Sequence, residues 1–337
     1  MREITIAGGG LAGLSLASAL RLHEIPVKVL EAGTYPRHRV CGEFISGVSP
    51  HTLDALGITP SFKHALLHRT LCWHVRGREI HRDTLDVPAF GISRYFLDEN
   101  LRNHVSRLGG VIETGIRAQP EPAEGRVWAA GRRPRNGPWI GLKAHVRGIP
   151  MTADLEMHSG DNGYTGLAGV EDGWTNVCGL FRINRALRAN STHLLPAYVE
   201  AGGNPRLARL LREAEWRDGS FSAIAGFELG RQPEIPGMPC LGDAESMIPP
   251  FTGNGMSMAF QSAECAIAPL VSWSHGETSW QVATLTLQSA LRRKFRRRLA
   301  VAGCLHPLLT RLHSGGLPAH LSDLGILPFR PALALLR

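Results

Sequence analysis

The chain opens on a compact apolar pattern. Glu3-Ile4-Thr5-Ile6-Ala7 has the signature of a short buried strand and runs into Gly8-Gly9-Gly10-Leu11-Ala12-Gly13. An apolar helical stretch from Leu14 to Leu22 follows. A second strand signature, Pro26-Val27-Lys28-Val29-Leu30, then ends at Glu31. Short apolar runs of this kind suit strands buried on both faces of a parallel sheet. Beyond a loop over 35–46, short helices are predicted at Pro50–Leu56 and Ser61–Leu67. A hairpin is predicted to join Leu71–Val75 to Glu79–His81 across Arg76-Gly77-Arg78. A helix over Tyr95–Leu108 and a strand near Val111–Glu113 come next, ahead of Arg126-Val127-Trp128-Ala129-Ala130-Gly131-Arg132.

The period then changes. Trp139–Arg147 alternates apolar and polar positions from Leu142 on, and Ala153–His158 does the same. Trp174–Arg182 and Ser220–Leu229 also have strand character. Period-2 alternation predicts an antiparallel sheet with one solvated face. Near Pro239 the first pattern resumes in Met238–Ala244, followed by a glycine-rich turn and a long helix from about Asn254 to Val271. The expected architecture is α/β. A Rossmann-like domain over 1–138 and 231–278 is interrupted by an antiparallel substrate domain over 139–230. A helical C-terminal region over 279–337 completes the chain.

Composition narrows the class. At 337 residues, 43% apolar and 20% charged, the chain can bury a sizeable core. The formal charge of +8 is less informative than its densest cluster, Arg292-Arg293-Lys294-Phe295-Arg296-Arg297-Arg298. This is expected to be a solvated helix face. The sharper alternative is a patch for anionic lipid or an acidic carrier protein. Nothing resembles a nucleic-acid-reading helix or groove. The six cysteines form no C-x-x-C pair, so reduced thiols and a cytoplasmic location are expected. The chain starts directly on a strand, without a signal-peptide pattern. The best C-terminal apolar stretch, Gly316–Leu336, is broken by Pro318, His320, Asp323, Pro328, Arg330 and Pro331. His64 and His68 have an i,i+4 zinc-compatible spacing on the predicted helix. Without an H-E-x-x-H or a third ligand, no metal site is expected.

The chemistry starts at the first turn. Gly8, Gly10 and Gly13 form G-x-G-x-x-G between a strand and a helix, with an acid 23 positions after Gly8. Gly8 permits the tight turn and Gly10 the approach of a pyrophosphate. Gly13 permits close helix–strand packing, while the amides of the helix start, at Leu11 and Ala12, face the phosphates. Glu31, with Ala32 beside it, is placed to accept hydrogen bonds from a ribose. This motif alone fits a nicotinamide or a flavin dinucleotide. A second contact decides for FAD: Gly242-Asp243-Ala244, then Pro250-Phe251-Thr252-Gly253-Asn254-Gly255-Met256 opening a helix. Asp243 can bind a ribitol hydroxyl, and the turn and helix dipole can stabilise negative charge on a reduced flavin.

With these residues the chain resembles the flavoproteins of the para-hydroxybenzoate hydroxylase fold, in particular their geranylgeranyl-reductase-like branch. The resemblance rests on the N-terminal fingerprint with Glu31 and on Pro36-Arg37-x-Arg39-Val40-Cys41-Gly42-Glu43. It extends to Ile92-Ser93-Arg94-x-x-Leu97-Asp98 and to Gly242-Asp243-Ala244 with Pro250-x-x-Gly253-x-Gly255. It implies that Arg39, Cys41, Gly42 and Arg94 lie at the FAD, with Glu43 beside the ring. Two departures stand out. Ala129-Ala130-Gly131-Arg132 replaces a segment that often ends in Ala-Asp-Gly, leaving Gly131 as its cofactor contact. The Tyr-x-Trp-x-Phe-Pro pattern of prenyl-reducing relatives is absent, with Gly163-Tyr164-Thr165-Gly166-Leu167 in a comparable place.

Cys41 and Glu43 are the candidate catalytic residues. Cys41 either protonates a carbanion or packs on the ring, and a nearby Arg and helix terminus would favour its thiolate. Glu43 either carries a proton or pairs with Arg37 or Arg39. Lys143, His145 and Arg147 share one strand face, either orienting substrate or facing solvent. The expected function is FAD-dependent oxidation or reduction of a hydrophobic small molecule, with NAD(P)H as a transient donor. Reduction of a C=C bond comes first. Hydroxylation of an aromatic or polyketide substrate is the main alternative, and a non-catalytic flavin-binding redox module the third.

Overall fold

A computed structural model describes residues 1–187 and 191–310. The elements in chain order are β1 (Ile4–Ala7), α1 (Leu11–Leu22), β2 (Val27–Glu31), β3 (Phe44–Ile45), α2 (Pro50–Ala55), β4 (Leu66–Val75) and β5 (Arg78–Gly91). They continue with α3 (Arg94–Arg107), β6 (Val111–Thr114), β7 (Arg126–Trp128), β8 (Trp139–Arg147), β9 (Leu155–Gly160), β10 (Gly163–Gly169) and β11 (Thr175–Arg182). The last are α4 (Ser191–Ala201), α5 (Pro205–Glu213), β12 (Glu215–Trp216), β13 (Ser222–Ala225), α6 (Gly255–Ser274) and α7 (Trp280–Thr310).

A parallel sheet in the order β6-β2-β1-β7 carries the N-terminal pattern. Its central strand β1 buries Ile4 and Ile6 completely and packs with α1, α3, α6 and α7 into the largest core. Met238–Ala244 does run beside β7, through a Trp128–Cys240 bridge and the bonds Trp128 N to Pro239 O and Leu241 N to Trp128 O. The contact is too brief to make a strand.

The second sheet has the order β12-β8-β11-β10-β9-β4-β5-β3, with β13 also on β8. It is antiparallel except where β4 joins β9. It is wider than residues 139–230, because β3, β4 and β5 come from residues 44–91. The predicted helix Ser61–Leu67 is a short 3-10 turn at Thr59–Phe62 leading into β4. His64 therefore sits in an exposed turn while His68 is buried on a strand, and they share no helix face. β10 was hidden by Gly163, Gly166 and Gly169, which break the apolar alternation. Ser220–Leu229 contributes only the four residues of β13.

The alternating residues of β8 do not leave one face wet. Helices α4 and α5 cover the outer face, packing Leu195, Tyr198, Leu207 and Leu211 on Leu142, Ala144 and Val146. The loop around residues 38–43 covers the inner polar face, so Lys143 and His145 are completely buried.

Within α7, Leu291, Phe295 and Arg298 face inward, and Arg298 donates to Gln261 at 2.8 Å. Arg292 pairs with Glu234 and Lys294 with Glu264, so part of the basic cluster is already neutralised. No described helix is long and apolar enough to cross a membrane. The segment Gly316–Leu336, and the expected helical region beyond 310, lie outside the described residues.

Candidate active site

A cavity of about 1400 Å³ lies between the two sheets. Its first end is the β1–α1 turn. Gly8, at φ +113°, packs so closely on the neighbouring chain that a Cβ would sit 2.3 Å from Ala129 O. Gly13 lies underneath, where a Cβ would meet Gly8 O at 2.0 Å. Gly10 is the opposite case: its Cβ would meet only Arg94 Nη2, at 3.8 Å, because it faces the cavity. Among the described residues no side chain caps the start of α1, so the amides that begin the helix are open to a ligand.

Glu31 ends β2 on the same wall. Its carboxylate accepts from Gly9 N (2.8 Å), Gly33 N (2.9 Å) and Arg37 Nη2 (2.7 Å). Burial pushes this carboxyl up, but Arg39, the Gly33 amide, Arg37 and the Gly9 amide outweigh it, and the net direction is down. Arg39 also pairs with Asp98, which binds Arg94 through both carboxylate oxygens at 2.7 and 2.8 Å. Asp98 is fully buried and fixes the two arginines that border the cavity. Its role is visible only once α3 is folded, since it lies four residues after Arg94 and 59 after Arg39.

Ala32, Arg39, Cys41, Gly42, Arg94 and Gly131 line the middle of the cavity. Gly242, Asp243, Pro250, Gly253, Gly255 and Met256 line its far wall, and Leu11 and Ala12 its near end. The sequence thus brings nearly all its cofactor candidates to one surface. Gly13, Glu43 and Asn254 are not on it. Asn254 is buried at the start of α6, one residue from the wall. Asp243 opens onto the cavity, yet the surrounding protein raises its carboxyl pKa by desolvation, against the opposing pull of Arg94 and Arg132.

Cys41 differs from expectation. Burial pushes its thiol up, Arg94 pulls it down and Glu43 adds to the rise, so the net direction is up. The Cys41 carbonyl accepts from Asn176 Nδ2 at 3.0 Å, which ties this loop to β11.

Glu43 pairs with neither Arg37 nor Arg39. With its backbone in the left-handed region at φ 52°, it turns behind Cys41 into the interior. There it accepts from His145 Nε2 at 2.5 Å, Lys143 Nζ at 3.1 Å and Arg94 N at 2.9 Å. Burial raises this carboxyl, but Lys143, His145 and the Arg94 amide outweigh it, and its pKa is lowered. Lys143 Nζ also lies 3.1 Å from His38 Nδ1, and His38 reaches the cavity. Burial, with the charges of Lys143 and His145, pushes His38 down to about 3. A chain of polar groups therefore runs from the cavity through His38, Lys143 and Glu43 to His145. Arg147 is outside it, stacked on Trp174 at 3.9 Å.

The sheet side of the cavity is apolar: Leu71, Trp73, Met157, Tyr164, Leu180 and Ile224 project from β4, β9, β10, β11 and β13, with Phe227 beyond. Tyr164 is on this wall.

This arrangement defines the fold class: the chain has the para-hydroxybenzoate hydroxylase-like fold of two sheets around a dinucleotide cleft. Among solved structures it is similar to the flavin-dependent brominase Bmp2 (TM-score 0.76, 15% identity, 99% of this chain and 93% of that one). It is also similar to PqsL of Pseudomonas aeruginosa, solved with 2-aminobenzoylacetate (TM-score 0.74, 16% identity, 96% and 100%). A third is 2-methyl-3-hydroxypyridine-5-carboxylic acid oxygenase (TM-score 0.69, 18% identity, 95% and 95%). In sequence it is 24% identical over 310 residues to menaquinone reductase of Mycobacterium tuberculosis, covering 78% of this chain and 75% of the relative. No family model matches.

Proposed function

We propose that the protein is an FAD-dependent oxidoreductase acting on a hydrophobic small molecule, and that oxygen insertion into an aromatic or polyketide-like substrate is its reaction. The observation that carries the reading is the shared cavity. Its dinucleotide wall, from Gly8 and Gly10 to Asp243, faces an apolar wall of Trp73, Met157, Leu180 and Phe227. Its volume exceeds the roughly 300–1,000 Å³ of a typical ligand pocket, leaving room for substrate beside a cofactor. The uncapped start of α1 and the open face of Gly10 fit a pyrophosphate, and Asp243 fits a ribitol hydroxyl. Bound FAD would supply the redox chemistry, with NAD(P)H as its transient donor.

The chain's own groups supply the rest. The apolar sheet binds and orients substrate and excludes water. Neutral His38, at the cavity edge, can accept a proton from an acidic substrate hydroxyl, with Lys143 and Glu43 behind it to stabilise the charge. Oxygenation is favoured over reduction by the solved oxygenases and brominase that share this fold over nearly the whole chain.

Reduction of a C=C bond, the geranylgeranyl-reductase-like reading, is kept on one observation. Cys41 lies on the cavity wall, and burial pushes its thiol pKa up, the direction that suits a proton donor to a carbanion. Turnover under isotopically heavy O2, with 2-aminobenzoylacetate and menaquinone as probes and NADPH as donor, tests the pair. Label in the product supports oxygenation. A reduced, unlabelled product selects the second reading.

A further inference from the structure

The antiparallel sheet carries a second cluster at the β4–β9 junction, on the strand positions that alternate with the cavity-facing Leu71, Trp73 and Met157. Where β4 joins β9, Cys72 is in register with Glu156 and His74 with His158, so four donor side chains stand on one face of two neighbouring strands. His158 Nε2 lies 2.9 Å from Glu156 Oε2. His74 Nε2 lies 3.7 Å from Cys72 Sγ, and the two imidazoles stack at 4.4 Å. The ligand atoms of His74, Glu156 and His158 all fall within 4.8 Å of one another.

We propose that His74, Glu156, His158 and Cys72 form a binding site for a borderline divalent cation, zinc in the first instance, that fastens β4 to β9. Imidazole, carboxylate and thiolate are the donor types zinc takes in a four-coordinate structural site. Zinc–ligand distances of about 2.0–2.3 Å require donors within roughly 3.5 Å of one another. The donors of His74, Glu156 and His158 already lie within 4.8 Å, and Cys72 Sγ joins them through His74 at 3.7 Å.

Thr152 N and Oγ1 both donate to Glu156 Oε1, which leaves Oε2 facing His158. His158 is more than nine-tenths buried, and its Nδ1 has no hydrogen-bond partner among the described residues. On binding, the Cys72 thiol would lose its proton to solvent as the metal–sulfur bond forms. Glu79 is nearby but engaged by Arg82, whose Nη2 is 2.7 Å from Glu79 Oε2 and 3.7 Å from Cys72 Sγ. Charge closes: the carboxylates of Glu156 and Glu79 and the Cys72 thiolate balance Arg82 and a dication.

Among the described residues the junction is the one parallel pairing in this sheet. It joins the stretch over 66–91 to that over 139–182, so a metal here would cross-link two distant segments.

The test loads the flavin-containing protein, first stripped with a chelator, with Zn2+ alone. The proposal predicts stoichiometric zinc that survives gel filtration. His74→Gln should weaken binding by more than the ~10–100-fold that outer-shell changes cost. His64→Gln should not alter it. X-ray absorption at the zinc edge of the parent should show one sulfur at ~2.3 Å among nitrogen and oxygen ligands. This measurement does not depend on any variant folding. Absence of retained zinc, binding unchanged by His74→Gln, or a sulfur-free shell would overturn the site.

Discussion

Glu43 and His145, 102 residues apart in sequence, meet at 2.5 Å with neither side chain exposed. Lys143 completes the buried group from the same strand. Ionised groups removed from water are tolerated only when each has its partners, so deleting one partner costs more than the pair itself is worth. Lys143→Met should therefore destabilise the fold by about 3–5 kcal/mol. Lys143→Met with Glu43→Gln should recover much of that loss. Urea unfolding of the two variants checks this, and a single-variant loss under ~1 kcal/mol would mean the charges are not coupled.

The same network sets an acid response. Between its unfolded pKa of ~6.5 and its folded value of about 3, His38 is protonated only in the unfolded chain. The unfolded state then binds more protons, so stability falls as pH drops through this window. Glu43, with its folded pKa lowered, contributes stability that is present above its unfolded pKa and is lost as pH falls through its folded one. Thermal midpoints should decline steadily below pH 6.5. His38→Asn should flatten the upper part of that decline. A midpoint independent of pH between 6.5 and 5 would contradict the neutral His38.

How much of this was legible in the sequence follows from chain distance. The Gly8–Glu31 unit is local, and its strand, turn, helix and acid all appear in order. Gly242-Asp243 was legible for the same reason. The partners of Glu43 were not, because a loop at 38–43 covers a strand at 139–147, and the alternating polar residues of β8 looked solvated. Cys72 and His158 lie on strands about 85 residues apart and become neighbours only through a parallel pairing. The signal for α5 is present in the spacing of Leu207, Ala208 and Leu211. Cys41 was misjudged because the sequence shows its cationic neighbours but not its desolvation.

The glycines separate folding from binding. Gly8→Ala forces a Cβ into Ala129 backbone and should disrupt the fold. Among the described residues Gly10→Ala meets no atom closer than 3.8 Å, at an ordinary φ of −89°. Its stability should stay within ~1 kcal/mol of the parent, while FAD affinity drops at least about tenfold, a loss of ~1.4 kcal/mol. Calorimetric titration alongside thermal unfolding checks both. Unchanged FAD affinity would move the pyrophosphate elsewhere.

Thiol reactivity tests the raised pKa of Cys41. Iodoacetamide near neutral pH should label exposed Cys304 well before Cys41 in the flavin-free protein. Peptide mapping over time gives the order. Preferential labelling of Cys41 would restore the thiolate and remove the acid role assigned to it under the reductive reading.

The most direct test of the central claim is the cofactor content of the purified protein and two variants. FAD should be present, released on denaturation and so not covalently attached. Asp243→Ala should lose most of it, and Cys41→Ala should keep it, because Asp243 is placed for the ribitol and Cys41 only for the ring. A chain that takes up no FAD but binds NAD tightly would contradict the account.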